Sequence, residues 1–273
     1  MGKVVVTSDI HLGYANSDAV GYSSFLDSLS QRDDVDSFII LGDFVDMWRR
    51  DVSGLFLENH DILQKILSLQ PKVKVYVVAG NHDYHLLQLK DHGYPFETLP
   101  NLVLDTGVPR YRFVHGWEFD SDQRPPIMEL LCRNFSDYAG QVKSTLFSDL
   151  EDLRADLAAD LDSLFHTHGG GKGLADHLMQ PPEQRLQFTL SEVEGKAFAS
   201  RQEGEILVFG HTHRPFVSAD GNVVNTGSWV KDAPVHGTYI ELDGAQARLF
   251  VFGGQEVTER TPVPNPRKNM VVG

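Results

Sequence analysis

Five of the twelve histidines, His11, His82, His115, His211 and His213, stand directly after β-branched apolar runs or in the turns that end them. Asp9 lies two residues before His11, Asp43 and Asp46 follow another such run, and Asn81 adjoins His82. Asp9, His11, Asp43, Asn81, His115, His211 and His213 together offer two aspartate carboxylates, four imidazoles and one amide oxygen. That donor set suits Mn, Fe, Zn or Co, because calcium and magnesium prefer shells made almost wholly of oxygen. Seven donors are too many for one ion. With a carboxylate such as Asp43 bridging, they can serve two divalent ions ~3.5 to 4 Å apart, the spacing of two-metal hydrolysis. Residues two apart on a strand end point the same way, so Asp9 with His11, and His211 with His213, are each expected to send two donors into one cavity.

The elements that must position these residues read as α/β. Residues 3–7, 37–41 and 73–79 have strand character, and each run passes straight into one of the polar clusters. Chemistry in α/β sheets collects at the carboxyl ends of strands, so the three edges point at one site. Residues 23–29 and 55–69 have helical apolar spacing between them, and residues 111–114 form a fourth strand that ends at His115. From Met128 to Leu164 apolar residues recur every three or four positions, which predicts an amphipathic helix, or two broken near Gly140. A further helix is expected over 183–200. Strand character returns at 206–209, before His211 and His213, while 223–225, 237–242 and 247–252 read as an antiparallel close to the sheet. The expected division is a core of residues 1–119 and 203–260, a helical cap insertion of 120–202, and a loosely held tail of 261–273.

The remaining histidines, among them His166 and His168 in a glycine-rich break without a preceding strand, are read as structural or surface residues. Asp83 is read as a turn residue fixing its loop. The single cysteine, Cys132, cannot form an internal disulfide and falls on the apolar face of the 128–164 helix, so it is assigned to packing. With 24 Lys and Arg against 38 Asp and Glu, the net charge of −14 argues against a long footprint on nucleic acid. No stretch approaches the ~20 apolar residues of a membrane-spanning helix. The amino terminus runs into Val4, Val5 and Val6 without a signal core, so a cytoplasmic protein is expected, with peripheral membrane contact left open.

Asp9-Ile10-His11, Gly42-Asp43-Phe44-Val45-Asp46, Gly80-Asn81-His82-Asp83, His115-Gly116 and Gly210-His211-Thr212-His213 together resemble the five-block signature of the calcineurin-like metallophosphoesterases. Asn225 to Trp229 is similar to that family's late turn. The resemblance implies a four-layer α/β/β/α sandwich and two divalent ions, Mn first among them. It implies that Asp9, His11 and His213 hold one ion, that Asn81, His115 and His211 hold the other, and that Asp43 holds both. It further implies in-line attack on phosphorus by a metal-bridging hydroxide. His82 would protonate or stabilise the leaving oxygen, with Asp46 orienting it. Trp48, Arg49, Arg124 and Arg133 are the expected substrate contacts.

The run from Gly42 to Trp48, and an insertion after His115, resemble the branch that contains UDP-2,3-diacylglucosamine pyrophosphohydrolase. That implies a phosphate-containing small molecule or lipid-linked substrate, such as a nucleoside-diphosphate lipid or sugar. That branch usually carries Arg where this chain has His82, so a phosphodiesterase or nuclease of the same family is the alternative. A non-catalytic interaction scaffold would be marked by lost ligand residues, and none of the seven is lost.

Overall fold

The computed structural model describes residues 2–70, 72–92, 96–105, 107, 109–119 and 182–261. Strands β1 (Lys3–Thr7), β2 (Val35–Leu41), β3 (Lys74–Val78) and β4 (Glu97–Leu99) run parallel in one sheet. On the other side of β1 the sheet continues antiparallel through β10 (Thr238–Asp243), β11 (Gln246–Val251) and β12 (Glu256–Val257). A second sheet has the order β5 (Leu102–Leu104), β6 (Arg110–Phe113), β7 (Glu205–Phe209), β9 (Val223–Asn225), β8 (Phe216–Val217).

Period-two side-chain alternation makes this a sandwich. Val4 and Val6 of β1, Ile39 and Leu41 of β2, and Tyr76 and Val78 of β3 pack between the sheets against Phe113, Ile206, Val208 and Val224. The alternate residues, Val5, Phe38, Ile40, Val75 and Val77, face outward under helices. Both faces are therefore apolar, as strands covered on both sides require. Helix α1 (Ala19–Ser30) lays Tyr22, Phe25, Leu26 and Leu29 on that outer face, and its amino terminus is capped by Asp18, which accepts from Gly21 N–H at 3.2 Å. Helices α2 (Val52–Glu58) and α3 (His60–Leu69) add Leu55, Ile62, Ile66 and Leu69. On the far face of the second sheet, α4 (Pro182–Ser200) buries Val193 and Ala197 and stacks Phe198 on Phe216 at 5.8 Å and 7°. The four-layer α/β/β/α expectation is met.

Three expectations need correction or completion. The single helix over 55–69 is two, because Asn59 interrupts it and turns its side chain back to donate to the Leu55 carbonyl at 2.9 Å. Residues 223–225 do not close the first sheet: they lie parallel to β7 in the second, with Val208 opposite Val224. The three-residue strand is buried on both faces, so its composition fits either sheet and only pairing decides. The short strands β4, β5, β8 and β12 carry too few residues to show a period. Thr261, placed at the start of the tail, donates to Val217 O at 2.9 Å and accepts from Ala219 N–H at 2.8 Å. Residues 262–273, the 128–164 helix, Cys132, His166, His168, Arg124 and Arg133 lie outside the described residues. Among the described residues no helix is long and apolar enough to cross a membrane.

Candidate metal centre

Adjacent parallel strands end on the same side. β1, β2 and β3 therefore deliver Asp9 with His11, Asp43 with Asp46, and Asn81 with His82 to one edge of the first sheet. In the second sheet, β6 and β7 are also parallel, so His115 leaves beside His211 and His213. The face-to-face packing brings the two edges together.

The aim of the donors comes from the turns. Among the described residues the non-glycine positions with positive φ are Asp9 (53°), His11 (50°), Asp43 (49°), His211 (67°) and His213 (55°). All five belong to the predicted donor set. The strand-end alternation expected for these pairs is thus replaced by left-handed backbone, which side chains rarely adopt and which neighbouring structure must enforce. Here the enforcement is mutual: Asp9 N–H donates to Gly42 O at 3.0 Å, His11 N–H to Asp43 O at 2.8 Å, and Trp229 N–H to Asp9 O at 3.0 Å. Close approach also demands glycine at the site. A Cβ at Gly80 would overlap the Asp43 carboxylate, and one at Gly42, where φ is +82°, would overlap the His115 ring.

Four polar atoms of the predicted ligand set are buried and make no hydrogen bond among the described residues: Asp9 Oδ1, His11 Nε2, Asn81 Oδ1 and His115 Nε2. Buried polar atoms are normally satisfied, and those of Asp9, His11 and His115 belong to side chains that converge. His11 Nε2 lies 3.5 Å from Asp43 Oδ2, His115 Nε2 lies 3.3 Å from the same oxygen, and His213 Nε2 lies 3.2 Å from Asp9 Oδ1. Three overlapping groups have their candidate ligand atoms within 4.8 Å of one another: Asp9, His11 and His213; His11, Asp43 and His82; Asp43, His115 and His211. The residues fit divalent cations, and Asp43 is shared between two groups.

The opposite ring nitrogens are tied down, as ligand imidazoles require. His115 Nδ1 donates to Leu41 O at 2.9 Å, and His11 Nδ1 to Asp46 Oδ2 at 3.0 Å. His82 Nδ1 meets the other oxygen, Asp46 Oδ1, at 3.1 Å, and the His82 ring stacks on Trp48 with centroids 4.0 Å apart. Arg49, an expected substrate contact, directs its guanidinium to Asp46 Oδ2 at 2.5 Å.

Burial alone would raise the pKa of Asp9, Asp43 and Asp46. Facing imidazoles outweigh it: His213 and His115 hold Asp9 at about 2, while His115 and His82 hold Asp43, and His82 and His11 hold Asp46, well below the carboxylate range. Burial would lower His115, yet Asp43 and Asp9 push it well above its ordinary value. Asp83 is raised to about 7 by burial and by Asp43, against the backbone N–H groups of Gly80 and Phe44 that donate to it at 2.6 and 2.7 Å. It fixes its turn as expected and also grips the Asp43 loop.

Other supports were marked in the sequence only by the late turn that begins at Asn225, or not at all. Asn225, fully buried, donates to Gly210 O at 2.9 Å and to Thr212 Oγ1 at 3.1 Å, and accepts from Gly227 N–H at 2.9 Å. It clamps the turn that carries His211 and His213. Ser8 Oγ donates to the Asp9 carboxylate, whose Oδ2 also accepts from His211 N–H at 3.0 Å. Glu194 of α4 lies 3.3 Å from Arg214 Nε and 3.4 Å from Thr212 Oγ1.

Two packed sheets whose carboxyl edges carry this cluster define a metal-dependent phosphoesterase. The chain belongs to the calcineurin-like phosphoesterase family, whose model matches residues 2–215. It is similar to a UDP-2,3-diacylglucosamine hydrolase from Shewanella baltica (strain OS185), 22% identical over 244 residues that cover 85% of this chain and 92% of the relative. A protein of the same name from Shewanella sp. (strain W3-18-1) is 23% identical, with 85% and 91% covered. Among solved structures, Yfce, a phosphoesterase from E. coli, is 17% identical with a TM-score of 0.47, covering 94% of this chain and 97% of its own.

Proposed function

We propose that this chain is a dinuclear metal-dependent hydrolase that cleaves a phosphoester or pyrophosphate of a nucleoside-diphosphate lipid or sugar. The observation that carries the metal reading is the set of buried ligand atoms without a hydrogen bond, Asp9 Oδ1, His11 Nε2, Asn81 Oδ1 and His115 Nε2, of which the two imidazole nitrogens lie 3.5 and 3.3 Å from Asp43 Oδ2. Asp9, His11 and His213 would hold one ion, Asn81, His115 and His211 the other, and Asp43 both, with Mn the first candidate. Two such ions supply Lewis-acid activation of the phosphoryl group and of the attacking water. The chain's own residues do the rest. Asp46 orients His11 as a ligand through Nδ1, and it orients His82 so that Nε2 faces Asp43 Oδ2 at 4.0 Å and can deliver a proton to a leaving oxygen. Trp48 stacks on one face of the His82 ring and helps to hold its orientation.

The substrate class is supported by the relatives named UDP-2,3-diacylglucosamine hydrolase, which match most of the chain at low identity. A phosphodiesterase is the second reading, favoured by His82 where the pyrophosphohydrolase branch usually has arginine. We further read residues 120–202 as an insertion whose final helix, α4, packs on the second sheet, and propose a cytoplasmic location, with a nucleic-acid substrate disfavoured by the charge of −14. The test is Mn-supplemented hydrolysis of an aryl phosphomonoester, an aryl phosphodiester, UDP-sugar and CDP-lipid pyrophosphates, and single-stranded DNA. Preference for the UDP-linked pyrophosphate supports the reading. Activity confined to the diester or to DNA overturns it.

A further inference from the structure

We infer that Arg49 is a positioning residue that locks the Asp46 carboxylate, and through it the rings of both His11 and His82. The inference rests on the proposed reading in which His11 is a metal ligand and His82 a proton donor. Asp46 is fully buried, and each oxygen receives two donors. Oδ2 takes His11 Nδ1 at 3.0 Å and Arg49 Nη1 at 2.5 Å, while Oδ1 takes His82 Nδ1 at 3.1 Å and the Arg49 backbone N–H at 3.0 Å. An ionised carboxylate has about four acceptor positions, so this one is saturated. A saturated carboxylate cannot rotate without breaking bonds to both imidazoles. Withdrawing Nη1 would leave a buried anion short of its strongest, charge-assisted partner.

The guanidinium is itself braced from the rim. It lies over the Tyr14 ring, 4.5 Å from the centroid, and the Tyr14 hydroxyl donates to Asp232 Oδ2 at 3.0 Å. Asn16 Nδ2 donates to the same hydroxyl at 3.1 Å and to Asp232 Oδ2 at 3.2 Å. The chain Asp232, Tyr14, Arg49, Asp46 therefore runs from the surface to the two histidines. Trp48 stacks on His82 from another side. Nothing in this arrangement needs substrate to hold it.

The experiment compares wild type, Arg49→Ala, Arg49→Lys and Tyr14→Leu. It measures kcat and KM on an aryl phosphodiester with Mn, inhibition by inorganic phosphate, and Mn binding by calorimetry. A positioning role predicts that Arg49→Ala lowers kcat ~10-fold or more and weakens the ion that takes His11, while KM and the phosphate inhibition constant stay within about 2-fold. Arg49→Lys, which keeps the charge without the planar fork, should recover part of the loss. Tyr14→Leu, which removes the brace without touching Asp46, should show a smaller defect of the same kind. A rise of ~10-fold in KM and in the phosphate constant, with kcat and Mn binding unchanged, assigns Arg49 to substrate and overturns the inference. So does an unchanged Arg49→Ala enzyme. The Mn titration separates these outcomes from failure of the metal reading, since wild type that takes up no Mn overturns both.

Discussion

The Nδ1 atom of His82 lies 3.1 Å from Asp46 Oδ1, which leaves Nε2 as the nitrogen that faces the cluster. An imidazole fixed through one nitrogen to a buried carboxylate is oriented to give a proton from the other. The same nitrogen lies within reach of the His11 and Asp43 donors, so the geometry alone also admits His82 as a ligand. His82→Ala decides between the two. As a proton donor, its loss should leave metal content nearly intact and slow esters with poor leaving groups by ~10²- to 10⁴-fold, with a smaller defect on an activated aryl ester. Metal analysis showing His82→Ala stripped as fully as His115→Ala would make it a ligand.

Asp43 is the carboxylate shared by two of the candidate groups. Asp43→Ala should therefore lower the occupancy of both ions, because two cations would face each other without a common anion. Elemental analysis after saturation with Mn and gel filtration measures this. Retention of one full equivalent would show that Asp43 serves a single ion.

Asn225 acts on the site from a distance in sequence. Removing its amide in Asn225→Ala leaves the Gly210 carbonyl without that buried donor, at a cost of about 1–3 kcal/mol. The midpoint of urea unfolding should fall, and Mn binding should weaken because the clamped turn carries His211 and His213. An unchanged midpoint with unchanged Mn binding would mean that other contacts suffice to hold the turn.

Acid stability should report on Glu241, far from the metal cluster. Burial would raise its pKa, but Arg32 and Lys3, the latter 3.2 Å away, pull it below the ordinary value of 4.5. A carboxylate depressed by folding contributes stability that is fully present above its unfolded value and is lost as pH falls through the folded one. Wild type should therefore exceed Glu241→Gln in unfolding free energy at pH 7, and the gap should close as pH falls below about 4.5. A gap that is constant from pH 7 to pH 3 would show that the charge of Glu241 contributes nothing.

The donor types and the strand ends they follow were legible along the chain, because each depends only on local residue order. β-branched runs mark strands, and polar residues after them mark the edge where chemistry gathers, which is enough to predict an α/β fold with a histidine-rich edge; the four-layer sandwich was implied by the resemblance to the metallophosphoesterases. Tertiary structure alone decided how each donor is aimed. Local periodicity carries no distance between elements, so it could not show the left-handed turns at Asp9, His11 and Asp43, which backbone bonds between two separate loops enforce. Nor could it show that Arg49 reaches Asp46, that Asn225 belongs beside β7, or that His115 leans on Leu41 from 74 residues away. Those facts follow from which strands pair and how tightly the two sheets close. Distant residues meet there only after the chain has folded.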